Sequence, residues 1–345
     1  MNNFKVKNPR TDLEFEIAFT KAHRDAVKKY THPAQIELAC LRAQYPAILH
    51  PIQDEDVIAG RVQAGLVGLG IQGQTGGYGY YIDEPRVTAA LEKEEGNAKY
   101  REDIHELLVY WKTNSSYNKV LRNAPDSVRN ILFSDNWKET PLPASPIIRM
   151  AGAYPDFNKL IRLGLPGMIK EVESYEQKAR EEGGDYILYE CMKGAVELME
   201  DVCLWYQKQA WELLQETEDP KRRKQLSNMA SALEAISHRA PASMLEALQL
   251  AWIYGIMAPL LQFGRMDEYL GDWYVHDIDN GIITEEEALE MLQSYFRQID
   301  SLDSETDCRV IVGGQLHIGA VVGDAVRLRC AVQPHMAGIV KPYTV

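Results

Sequence analysis

The feature that most restricts the fold of this chain is a long run of helical spacing between residues 156 and 217. Apolar residues recur there every three or four positions, which is the period of an amphipathic α-helix and not of a strand. The run is broken at Gly183-Gly184, and glycine commonly ends a helix. The sequence therefore predicts a mostly helical protein with long helices on either side of this pair.

Two further helices have well-marked beginnings. Ser243 with Glu246, and Thr284 with Glu287, both match the capping box, in which each side chain satisfies a backbone N–H that the helix leaves free. Helical apolar spacing continues after both. The longest apolar stretch, residues 248–261, is too short to span a membrane and indicates a buried helix.

Residues 276–281 are similar to a calcium-binding loop, but their register is wrong for one. The EF-hand pattern needs glycine at its sixth position, whereas Gly281 is fifth when the loop is counted from Asp277. We interpret Asp279, Asn280 and Gly281 as the end of one helix before the next begins.

The remaining segments differ in character. Residues 12–49 are predicted to be mostly helical, with a short strand near 13–19 as an alternative, and residues 85–135 are also helical in pattern. Residues 50–84, rich in Gly, Val and Ile, indicate short strands and turns. A proline-rich linker is expected at 141–146.

Charge and cysteine usage limit the partners and the compartment. The net charge of −13 argues against a nucleic-acid or membrane-surface partner. The first ten residues contain no apolar segment of a signal peptide. The five cysteines show no metal-ligand spacing, and we expect a reducing, cytoplasmic location.

Neither the glycine-rich motif nor the histidines indicate a nucleotide site or a catalytic triad on their own. Gly68, Gly70 and Gly73 satisfy G-x-G-x-x-G, but a nucleotide site needs a helix to open after the last glycine. The sequence that follows, QTGGYGYY, does not begin a helix, so we interpret the motif as a turn. No G-x-S-x-G motif anchors a hydrolase triad.

Four segments of the chain together form a specific pattern. They are HPIQDEDVIAG at 50–60, YPDFNKLIRLGLPGMIKEVE at 154–173, RAPASMLEALQLAW at 239–252, and FGRMDEYL at 263–270 with DIDNGIITEEEALEML at 277–292. In this order they resemble segments of the glycyl radical enzymes of the pyruvate formate-lyase type. The resemblance covers about residues 30–300, and FGRMDEYL is its most specific part.

The resemblance implies an α/β fold that is mostly helical, the N-terminal part of a ten-stranded barrel wrapped in helices. We expect residues 1–315 to form a pyruvate formate-lyase-like N-terminal domain with an incomplete barrel, including a strand near 309–313. Residues 316–345 have no sustained period and no match to the family. We expect an atypical tail there, such as a shifted reading frame would leave, with a few short strands as the alternative.

The family's chemistry depends on two loops that meet inside the barrel. One holds a cysteine whose thiyl radical abstracts hydrogen from the substrate, in a Cys-x-Glu pattern in the dehydratases, and the other holds a glycine that stores the radical. The resemblance therefore implies no bound cofactor, but a glycyl radical installed by an S-adenosylmethionine iron-sulfur activating enzyme. None of the five cysteines fits Cys-x-Glu or the Cys-Cys pair of pyruvate formate-lyase, and the glycine-loop pattern echoed at 309–313 has Val312 at the radical position.

These observations lead to two hypotheses of different classes. The first is a truncated or split glycyl radical enzyme, similar to formate C-acetyltransferase or to a dehydratase, which is inactive alone and has no catalytic residue of its own. It would need a second polypeptide with the C-terminal half and the activating enzyme, and it could form a homo-oligomer. The alternative is a non-catalytic remnant that acts at most as a binding protein.

The resemblance also places a substrate wall on this chain. The corresponding positions fall near Gly152 and near Pro259 and Leu260, where pyruvate formate-lyase and glycerol dehydratases have polar residues. The nearest polar substitutes are Arg149, Tyr154 and Gln262. A glycine and an apolar residue at the two main positions argue against either of those specificities.

Overall fold

In the computed structural model, residues 12–62, 88–89, 91–92, 98–114, 119, 122–126, 155–258, 262–302 and 309–311 are described. The helices are α1 Asp12–Lys29, α2 Pro33–Ile48, α3 Ala98–Asn114, α4 Phe157–Glu182, α5 Tyr186–Glu216, α6 Pro220–His238, α7 Met244–Met257, α8 Met266–Tyr269, α9 Gly271–Asp279 and α10 Glu285–Ser301. The strands are β1 Leu49–His50, β2 Arg61–Val62, β3 Gln262–Arg265 and β4 Arg309–Ile311.

The described residues divide into two compact units. The small unit contains residues 12–48 and 98–114, and the large unit contains residues 49–62 and 155–311 with the gaps given above. The predicted tail at 316–345 lies outside the described residues, and the domain boundary at 315 stays a prediction.

The structure confirms the helices predicted from the long helical run. It forms α4 and α5, which separate at Gly183, where the backbone turns left-handed at φ 71°. Asp185 then caps α5, because its Oδ1 accepts a hydrogen bond of 3.3 Å from the backbone N–H of Leu188. Helix α5 packs between α4 and α6.

The core of the large unit is built around α7. Twelve of its fourteen residues are buried, which confirms the buried helix predicted from the apolar stretch. Its Trp252 ring contacts both Phe263 of β3 and Tyr295 of α10, with ring centroids 5.8 and 5.5 Å away. Burial of large aromatic side chains supplies much of the driving force for packing such a layer.

The two predicted capping boxes have different outcomes. At α10, Thr284 Oγ1 accepts from the N–H of Glu287, and the Glu287 carboxylate accepts from the N–H of Thr284, so this box is confirmed. At α7, Ser243 caps the helix, but the carboxylate of Glu246 does not return to Ser243.

The second half of the predicted box at Ser243 is therefore wrong. The Glu246 carboxylate accepts instead from the N–H of Ala242 at 2.6 Å and from the guanidinium of Arg239 at 2.6 and 2.7 Å. A two-point pair with arginine is stronger than a single neutral hydrogen bond, and Arg239 lies outside the four-residue motif on which the prediction relied.

The strands are few and short in the described part of the chain. Strand β1 pairs antiparallel with β2, and β3 pairs in parallel with β4. The prediction of a strand near 309–313 is confirmed for Arg309–Ile311. The ambiguous stretch at 13–19 is helical and belongs to α1.

Candidate functional site

Most of the predicted substrate wall lies outside the described residues. This applies to Arg149, Gly152, Tyr154 and Leu260. The backbone of Gln262 is described: it begins β3 and pairs with Arg309 of β4. The assignment of these five residues to a substrate wall stays a prediction.

The residues that flank the two wall segments do lie together. Phe157 begins α4, three positions after Tyr154, and its ring centroid is 4.7 Å from that of Tyr269 in α8. It is also 6.2 Å from the ring of Tyr254 in α7. The start of α4 is therefore packed against the elements on both sides of β3.

These aromatic positions were not among the predicted site residues. The available signal was their location, because Phe157 and Tyr269 lie inside the segments that carry the family resemblance. Spacing along the chain does not show that two segments more than 100 residues apart meet.

Strand β3 is held in place by its own buried side chain. Phe263 lies with its ring centroid 5.8 Å from both Trp252 and Tyr295, and it is fully buried. A Cβ atom on Gly255 would come within 2.7 Å of the Phe263 ring. This close approach holds β3 against α7.

A buried ion pair closes the turn from β3 into α8. Arg265 Nε lies 3.0 Å from Asp267 Oδ1, and its Nη2 lies 2.9 Å from Asp267 Oδ2. The hydrogen bonds to this carboxylate raise the pKa of Arg265. Asp267 is fully buried and its carboxylate is bound at both oxygens, so it anchors the turn from β3 into α8.

The thiols of the described residues are poor candidates for chemistry. Cys40, Cys191 and Cys203 are buried. Burial raises the pKa of Cys40 and of Cys203 to about 12, so both are protonated thiols near neutral pH. In the part of the chain that the structure describes, no group of three or more His, Cys, Asp or Glu side chains could hold a metal ion.

Helix composition bears on membrane association. Among the described residues, none of the helices is both long and apolar enough to cross a membrane.

Comparison with known proteins identifies the fold and the family. The family model described as pyruvate formate lyase-like matches residues 3–306. The chain is 25% identical over 307 residues to (2S)-3-sulfopropanediol dehydratase from Klebsiella oxytoca, covering 81% of this chain and 35% of that protein. It is 29% identical over 157 residues to the 4-hydroxyphenylacetate decarboxylase glycyl radical subunit of Clostridioides difficile, covering 41% and 17%.

A solved structure shows the same fold. A glycyl radical enzyme from Archaeoglobus fulgidus matches with a TM-score of 0.61 at 20% identity, over 86% of this chain and 39% of that one. The expected fold, the mostly helical N-terminal part of a glycyl radical enzyme barrel, is confirmed. The chain spans about a third of the length of the curated relatives that it matches over most of its residues, and it belongs to the pyruvate formate lyase-like family.

Proposed function

We propose that this chain forms the N-terminal part of a glycyl radical dehydratase or lyase, and that it becomes catalytic only together with a segment carrying the thiyl cysteine and the radical glycine. The observation that supports this most is the coverage. The match takes in 81% of this chain but 35% of the dehydratase from Klebsiella oxytoca.

The cysteines of this chain also support the proposal that the thiyl cysteine lies on another segment. None is followed by Glu at the second position, and Cys40 and Cys203 are buried thiols with raised pKa values. Hydrogen abstraction from an unactivated carbon needs a thiyl radical held against the substrate, in a site that excludes water. In this proposal the cysteine comes from the complementing segment, and this chain supplies part of the surrounding wall.

The wall in this proposal consists of Arg149, Gly152, Tyr154, Leu260 and Gln262. Its support is indirect, since Phe157, next to one wall segment, packs against Tyr254 and Tyr269, which flank the other. A glycine and a leucine at the two main positions favour a substrate other than pyruvate or glycerol. The radical itself would be installed on the complementing segment by an S-adenosylmethionine iron-sulfur activating enzyme.

The second candidate function is a non-catalytic remnant that acts at most as a binding protein. The DNA next to this reading frame distinguishes the two. A neighbouring frame that encodes Cys-x-Glu and R-V-x-G followed by an aromatic residue favours the enzyme, and its absence favours the remnant.

The proposal predicts that radical formation depends on complementation. The chain is incubated without air with an activating enzyme, S-adenosylmethionine and a reductant, and is examined by electron paramagnetic resonance. We expect no glycyl doublet from the chain alone, because none of its glycines lies in the loop sequence that the activating enzyme recognises in this family. Adding the complementing segment should produce both the doublet and turnover.

The matched control is the complementing segment with its radical glycine changed to alanine, which should bind this chain but give neither signal nor turnover. A doublet from this chain alone contradicts the proposal. So does turnover by the complementing segment at the same rate whether or not this chain is present.

A further inference from the structure

One segment of the large unit is bound through its backbone by side chains of neighbouring helices, in the way that a receptor binds a peptide ligand. Residues 51–60, here called the strap, connect β1 to β2 and join no ladder of backbone hydrogen bonds. Residues 57–60 within it are buried. Buried backbone groups must be paired, and in the strap side chains supply the pairing.

The centre of the strap is held by side chains of α7 and α10. Gln249 bonds both backbone groups of Ala59, since its Oε1 accepts from the N–H at 2.8 Å and its Nε2 donates to the carbonyl at 2.7 Å. Trp252 Nε1 donates to the carbonyl of Gly60 at 2.6 Å. Ser294 Oγ accepts from the N–H of Val57 at 2.9 Å, and Gln298 Nε2 donates to the carbonyl of Ile58.

The two ends of the strap are held by α5 and α6. The hydroxyl of Tyr206 in α5 accepts from the N–H of Arg61 at 2.9 Å and donates to the carbonyl of His50, also at 2.9 Å. From α6, the guanidinium of Arg222 donates to the carbonyls of Gln53 and Asp56, at 2.8 and 2.6 Å. Four helices thus contact the backbone of one continuous segment.

These contacts recognise main-chain atoms, so they accept many sequences, but steric limits select small residues. A Cβ atom on Gly60 would lie 2.7 Å from Trp252 Nε1, and the φ of Gly60 is 127°, a conformation that side chains rarely allow. The groove is therefore complementary to a chain with glycine at this point.

We propose that α5, α6, α7 and α10 form a receptor groove for a peptide segment, that the strap is its intramolecular ligand, and that the groove binds the same segment in trans. The polar partners of the strap's central backbone lie about 190 to 240 residues away in sequence, so the covalent connection supplies none of these contacts. The inference concerns this chain's own fold and does not depend on radical catalysis.

The test displaces the strap from the groove of the full chain and then adds the same segment as a separate peptide. Gly60→Val should displace the strap, because the added side chain meets Trp252. A fluorescein-labelled peptide of residues 49–63 should then bind this variant at least about tenfold more tightly than it binds the unmodified chain, whose groove is filled, as measured by anisotropy.

Two controls distinguish binding of the peptide in the groove from nonspecific binding. Asp54→Ala changes an exposed turn residue of the strap, and this variant should bind the peptide as weakly as the unmodified chain. A peptide that itself carries Gly60→Val should not bind any variant. Equal binding of the peptide to the Gly60→Val chain and to the unmodified chain overturns the proposal.

Hydrogen exchange of the unmodified chain decides the question if the Gly60→Val chain fails to fold. The amides of Val57, Ala59 and Arg61 are bound by three different helices, so release of a docked segment should expose all three in one opening step. Gln249→Leu should then accelerate their exchange together, by about tenfold or more. Acceleration confined to Ala59 shows separate local contacts and overturns the proposal.

Discussion

At the scale of single residues, His23 in the small unit is a buried base in an aromatic setting. Its Nδ1 lies 2.8 Å from the hydroxyl of Tyr110, and its ring centroid is 4.8 Å from that of Trp111. Trp111 is itself buried and donates to Thr20 Oγ1 at 2.8 Å. Burial, followed by the charge of Lys119, lowers the pKa of His23 to about 4.

This shift makes the stability of the small unit depend on pH in mildly acidic solution. In the unfolded chain histidine has a pKa of about 6.5, so below that pH the unfolded state binds a proton that the folded state does not. The contribution of His23 is therefore fully present above pH ~6.5 and is lost as the pH falls towards ~4. One unit of pKa difference corresponds to about 1.4 kcal/mol.

The measurement is the free energy of unfolding in urea at several pH values between 4.5 and 7.5, for the unmodified chain and for His23→Gln. The variant keeps a hydrogen-bonding side chain but cannot titrate, so its stability should fall less steeply below pH ~6.5. Equal slopes for the two proteins would show that His23 is not the titrating group.

At the scale of elements, α4 contains a glycine that its neighbours require. Gly164 has φ 64° and ψ 176°, which interrupts the helix just before Pro166. A Cβ atom there would lie 2.7 Å from the Cα of Ala240, in the link between α6 and α7. Gly183 at the end of α4 also has a positive φ, of 71°, but a Cβ atom would meet nothing within 4 Å.

The two glycines form a matched pair for mutation. Gly183→Ala should cost about 1–2 kcal/mol, the strain of a left-handed alanine. Gly164→Ala should cost roughly 1–3 kcal/mol more than that, because φ 64° with ψ 176° is a conformation essentially restricted to glycine and because the backbone at Ala240 cannot rotate away as a side chain can. Urea unfolding of the large unit measures both. Equal costs would mean that the link between α6 and α7 moves freely.

At the scale of the whole molecule, the described part of the chain contains a parallel pair of strands, β3 and β4. Gln262 pairs with Arg309, and Arg265 pairs with Ile311. Parallel sheets occur almost only where both faces are covered, and a two-stranded sheet is marginal alone. The solved glycyl radical enzyme from Archaeoglobus fulgidus is much longer, since this chain covers 39% of it.

We expect this 345-residue chain to self-associate when it is produced alone, because the incomplete barrel that we propose would leave a strand edge open, and open edges pair with other chains. Light scattering should show species larger than a monomer, and more of them as salt screens the net charge of −13. Adding the complementing segment should reduce the association. A stable, monodisperse monomer at moderate salt would contradict this expectation.

Local sequence signals predicted the helical elements well. The break at Gly183-Gly184, the buried helix α7 and the capping box at Thr284 are all present, because each depends on residues within one or two turns of each other. The capping box predicted at Ser243 forms only in part, because the carboxylate of Glu246 binds the guanidinium of Arg239, a residue outside the motif.

The sequence by itself determined the family, the break at Gly183-Gly184, the starts of α7 and α10 and the expectation that this chain brings no Cys-x-Glu of its own. Only the tertiary structure decided how the segments meet. Nothing in the pattern around Gln249, which lies in an apolar stretch, shows that its amide pairs with Ala59, 190 residues away. The reason is physical: helix periodicity and capping are local properties, whereas a buried polar side chain finds its partner only when distant segments pack together.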